Sequence, residues 1–71
     1  MNKAQTLEWE TTLREANDAV IVAKAHLEVH VIAARRAGVS WTVIARALNM
    51  ARQSATQRFA KLPEIAEMED E

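Results

Sequence analysis

Three features of this 71-residue chain predict an all-α fold. It holds a single Gly and a single Pro, so few points force a helical chain to stop. The positions Trp9, Leu13, Ala16, Val20, Ala23, Leu27, His30 and Ala34 alternate spacings of four and three residues without a break, which is a heptad seam. Beyond Gly38, Trp41, Ile44, Ala45 and Leu48 recur at helical spacing, and Ala55 and Phe59 do so again. The predicted architecture is a long N-terminal helix, dimerising through its seam, followed by two short helices around a tight turn.

From about Lys3 to Ala37 there is no Gly or Pro, so the simplest reading is one helix roughly 50 Å long at ~1.5 Å per residue. Asn17-Asp18 is the one place where it could break, since both residues favour caps. A break there would let the chain fold back into a four-helix monomer. Gly38 ends the long helix, and Arg35 and Arg36 before it suit a helix C-terminus. Two short helices can cover only the C-terminal part of so long a helix. Leu7, Trp9, Leu13 and Val20 are then left for a partner. Residues 1–37 are accordingly assigned to dimerisation and core, with Trp9, Leu13, Ala16, Val20, Ala23, Leu27 and His30 as the interface. Ile21, Val31 and Ile32 lie off that line, so the apolar surface is wider than one seam.

Residues 38–62 form the second unit. The Ser40 hydroxyl can cap a helix whose buried face is Trp41, Ile44, Ala45 and Leu48. Asn49 stands where the chain must turn, and Asn tolerates the left-handed conformation. Met50 is read as a plug between the helices. A second helix runs from about Arg52 to Ala60, turning Ala55 and Phe59 inward and Arg52, Gln53, Thr56 and Gln57 outward. Pro63 ends that helix or follows closely on it. Residues 63–71 are acidic and read as a frayed, solvating tail. Alternatively, Ile65 and Met68 dock on the core, or the tail competes for the basic surface.

The net charge of -1 conceals a strong asymmetry. Residues 1–34 carry Lys3, Arg14 and Lys24 against five acids. Residues 35–62 carry Arg35, Arg36, Arg46, Arg52, Arg58 and Lys61 with no acid, and residues 63–71 carry five acids and no base. A basic block on two short helices is the electrostatic footprint of phosphate binding. Other chemistries find little footing. Without Cys there is no disulfide or Cys-based zinc site. The longest apolar run, Ala19 to Ala23, is too short for a membrane span, which suggests a cytoplasmic protein. His26 and His30 share a helix face, but HLEVH is not HExxH and no third ligand is evident, so no metal or other cofactor is expected. His30 is read as a seam residue, where two could meet across a dimer and make it pH-sensitive. No Gly-rich phosphate loop or nucleophile–base arrangement is present, so an enzyme is not expected.

The run AGVSWTVIARALNMARQSATQRF resembles the helix-turn-helix of small bacterial DNA-binding proteins, of the kind found in actinobacteria, their plasmids and phages. The matching features are Ala37-Gly38, Ser40-Trp41, Ile44-Ala45, Ala47-Leu48, Arg52-Gln53-Ser54-Ala55 and Gln57-Arg58-Phe59. Two departures stand out. Asn49 replaces the usual turn Gly, and Ala51 replaces the usual Ser or Thr cap. The resemblance implies that the second helix enters the major groove, with Arg52, Gln53, Thr56 and Gln57 reading base edges. Arg suits guanine and Gln suits adenine. Ser54, Arg58, Lys61, Arg46, Arg36 and the Trp41 indole N–H are the phosphate candidates.

The expected function is a homodimeric, sequence-specific binder of double-stranded DNA. It would act as a transcriptional regulator, and as a repressor, on the bacterial nucleoid. No small-molecule ligand and no membrane is expected. Two alternatives stay open. One is an accessory protein for plasmid partition, recombination or excision, and the other is a protein–protein adaptor that keeps the fold without touching DNA.

Overall fold

The computed structural model describes residues 2–69, and every regular element among them is helical: α1 (Lys3–Arg36), α2 (Trp41–Ala47), α3 (Arg52–Phe59) and α4 (Pro63–Glu69). The all-α expectation holds. α1 is continuous through Asn17-Asp18 over all 34 of its residues. The helix cost of two such residues is below about 1 kcal/mol each, too little to break a helix that has no Gly or Pro on either side. Its N-terminus carries a capping box. The Gln5 amide donates to Asn2 Oδ1 at 2.8 Å, and the Asn2 amide donates to Gln5 Oε1 at 3.0 Å.

Both tight turns close in one way. After α1, Gly38 takes φ 88° while its amide donates to the Arg35 carbonyl and that of Val39 to Ala34. After α2, Asn49 takes φ 55° while its amide donates to Arg46 and that of Met50 to Ala45. Each pair is a Schellman ending, which satisfies carbonyls that the helix itself leaves open. A Cβ at Gly38 would meet nothing within 4 Å, so the backbone angle selects Gly there, not crowding. Ser40 caps α2 as expected, its Oγ accepting from the Val43 amide at 3.2 Å.

The core is small and lies at one end. Val31 of α1, Trp41, Ile44 and Ala45 of α2, Ala55 and Phe59 of α3, and Ile65 of α4 are buried. Leu27, Ile32, Leu48, Met50, Leu62 and Met68 pack around them. Met50 is therefore half-buried at the edge of the core, not a sealed plug.

The tail corrects the sequence reading. Residues 63–69 form α4, which packs on α1, and Ile65 is 0% exposed. Pro63 opens this helix. Its missing N–H costs nothing at the first helical position and its ring fixes the right φ. Leu62, Ile65 and Met68, three apart, turn inward together.

The N-terminal two-thirds of α1 touches none of the other helices. Trp9 is 57% exposed, Leu13 64% and Val20 49%. Leu27 alone of the predicted interface set is half-buried, against the chain's own core. The radius of gyration is 17.2 Å. A compact chain of this length would have about 11 Å.

Candidate nucleic-acid interface

Ala55 and Phe59, both buried against α2, fix which way α3 faces. Helical spacing then turns Arg52, Gln53, Ser54, Gln57 and Arg58 outward, and all five are exposed. Thr56 departs from expectation in part. It is half-buried, and its hydroxyl donates to the Arg52 carbonyl at 2.9 Å, leaving an oxygen lone pair and a methyl group to offer. Ala51 precedes α3 without any side-chain cap, so among the described residues no side chain satisfies the first-turn amides there. A phosphate oxygen would suit them.

The basic block divides into two groups. Arg36, Arg46, Arg52, Arg58 and Lys61 are exposed, and among the described residues none of them is in an ion pair. The Arg58 guanidinium lies 4.9 Å from the Phe59 ring, which holds its stem along the core edge. Arg35 behaves differently. Its Nε donates to Glu69 Oε1 at 2.8 Å, its Nη2 reaches the same oxygen, and its Nη1 donates to the Val39 carbonyl at 2.8 Å. It also stacks 4.8 Å from the centroid of the Trp41 ring.

Trp41 sits on the buried face of α2, as its spacing predicts. Its ring is buried, and its indole N–H already donates to Glu69 Oε1 at 3.2 Å. One carboxylate thus ties the end of α4 to the end of α1 and the start of α2. The described acids of the tail do not lie across the α3 cations through any ion pair; the one that is paired meets Arg35. Sequence reasoning had no local signal for this clamp, because Glu69 is 34 positions from Arg35 and 28 from Trp41.

Two further features complete the surface. A shallow apolar groove of ≈ 200 Å³ runs between α1 and α2, with Leu27, His30 and Ala34 on one wall and Val43 and Ala47 on the other. His30 Nδ1 donates to the His26 carbonyl at 2.7 Å. Among the described residues no helix is long and apolar enough to cross a membrane. No protein-family model, curated protein or solved structure matches this chain.

Proposed function

We propose that this chain binds duplex DNA as a homodimer, with α2, the Asn49 turn and α3 acting as a helix-turn-helix. In this reading α3 enters the major groove. Arg52, Gln53 and Gln57 read base edges, with Thr56 contributing its methyl group, as Ala, Thr and Phe can toward thymine. Arg36, Arg46, Ser54, Arg58 and Lys61 meet phosphates and set the register. The observation that carries the reading is the α3 surface. An apolar face clamps the helix in one orientation, while its outer side offers Arg52, Gln53, Gln57 and Arg58, and among the described residues neither these two arginines nor Arg36, Arg46 and Lys61 on the neighbouring segments are in an ion pair. A solvated helix with no partner gains nothing from concentrating one sign of charge in that way.

One short helix contacts only a few base pairs, so specificity calls for two. The bare stripe of α1 supplies a face for the second copy. The resulting protein is a transcriptional regulator that represses by occupying its site. Selection from a random duplex library, followed by binding of the recovered sites against salt, tests this. Enrichment of a motif with two half-sites and a steep salt slope is the expected result. No enrichment, with binding indifferent to salt, would contradict it and favour a protein-adaptor role.

A further inference from the structure

The α1 stripe alternates in residue size as well as in spacing. One set of positions holds Leu13, Val20 and Leu27, and the set between them holds Trp9, Ala16, Ala23 and His30. In a parallel pair like positions meet. Leu13 would stack on Leu13 and Val20 on Val20, but Ala16 would face Ala16 and Ala23 would face Ala23, which leaves hollow layers between full ones. An antiparallel pair sets the two positions against each other. Leu13 then meets Ala23, Val20 meets Ala16, and Leu27 meets Trp9, so large and small side chains interdigitate in each central layer.

Charge selects the same direction. The flanking positions on one side of the stripe are Glu10, Asn17 and Lys24, and on the other Thr12, Ala19 and His26. Parallel pairing brings one flank against the other and matches no acid with a base. Antiparallel pairing brings each flank against itself. It places Glu10 beside Lys24 of the second copy, twice, with Asn17 near Asn17 at the two-fold axis. The groove between α1 and α2 agrees. It opens on the stripe at Leu27 and His30, where this register delivers Trp9 of the second copy. The other exposed apolar side of α1, with Leu7, Ile21, Val22 and Val29, offers no such seam, because Arg14 and Asp18 interrupt it.

We infer that α1 pairs antiparallel with α1 of a second copy of this chain, in the register that sets Leu13 against Ala23 and Glu10 against Lys24. This rests on the dimer reading above and gives it a geometry. The two packed ends then lie at opposite ends of the helix pair, about 40 Å apart at ~1.5 Å per residue. That is close to the ~34 Å between half-sites on one face of B-DNA. Parallel pairing would bring both packed ends together.

The chain has no Cys, so introduced thiols report cleanly. Leu13 and Ala23 are both exposed, and replacing them leaves the core intact. Oxidising a mixture of Leu13→Cys and Ala23→Cys full-length chains gives a covalent heterodimer, with at least about tenfold less homodimer from either variant alone, since those thiols would be ~15 Å apart. Efficient self-cross-linking of Ala23→Cys would overturn the orientation. Sedimentation equilibrium of the unmodified chain separates the two levels. A monomer at high concentration overturns the dimer itself, whereas a dimer whose Ala23→Cys form cross-links to itself overturns only the antiparallel register. A charge swap gives an independent reading. Glu10→Lys weakens the dimer about tenfold, and adding Lys24→Glu restores it to within about twofold. Absence of restoration contradicts the register. The Glu10–Arg14 pair within one helix is lost in both variants and cannot mimic the rescue.

Discussion

From Leu27 onward α1 packs through Leu27, Val31, Ile32 and Ala34 against the core built by α2, α3 and α4, while from Trp9 to Ala23 its apolar stripe lies bare. Nothing in the local sequence marks the change. Neither segment holds a Gly or Pro, and the 4-3 spacing runs through both in one register. The difference is tertiary, since the three short helices reach about a third of α1. The covered third sets the fold of each chain. The bare two-thirds is a surface helix without tertiary support, and such helices are marginal in water. Covering it with a second copy would therefore stabilise α1 and hold two α3 surfaces at a fixed distance at once.

The largest expected effect breaks the covered end. Phe59→Ala removes a fully buried ring at the α2–α3 contact and should lower stability by about 3–5 kcal/mol, read as lost cooperative melting by circular dichroism. Leu13→Glu attacks the bare end. It places two carboxylates in the proposed seam and should weaken the dimer at least about a hundredfold, or ~3 kcal/mol, in sedimentation equilibrium. The α2–α4 core should keep its amide protection from exchange. Leu27→Glu would not discriminate, because Leu27 also packs on the chain's own core.

On the α3 surface, Arg52→Ala should weaken specific DNA binding by about 1–3 kcal/mol and relax preference at one base pair. Arg46→Ala should weaken all sequences alike and reduce the salt slope by about one. A uniform loss for Arg52→Ala would move that residue to the phosphate set. Glu69→Gln removes the charge from the α1–α2–α4 clamp and should cost about 1 kcal/mol in thermal stability, less at high salt. The smallest effect is a gain. Ala51→Ser supplies the missing cap of α3 and should add about 0.5–1 kcal/mol.

Most of the local architecture was legible in the sequence, because local residues dictate it. The unbroken α1, the Gly38 stop, the Ser40 cap and the left-handed Asn49 all follow from backbone preferences of single residues. The inward Ala55 and Phe59 follow from spacing, and their placement leaves Arg52, Gln53 and Gln57 outside. The Asn2–Gln5 capping box is equally local, but it is written in polar residues that apolar periodicity does not register. α4 was misread because its acidic composition masked the Leu62, Ile65, Met68 spacing and the helix-opening position of Pro63. The burial of Trp41 was legible, but the partner of its indole N–H was not. Its partner Glu69 lies far along the chain, and only the packing of α4 brings the two together.

Hydroxyl-radical footprinting on a selected duplex site, with the unaltered chain and with Leu13→Glu, bears on both the α3 surface and the α1 pairing at once. A dimer with an α3 helix in each of two major-groove sites gives two protected patches about one helical turn apart on the same DNA face, and the variant protects the site weakly or at one patch only. A single patch from the unaltered chain, or a double footprint that survives Leu13→Glu unchanged, would contradict that dimer.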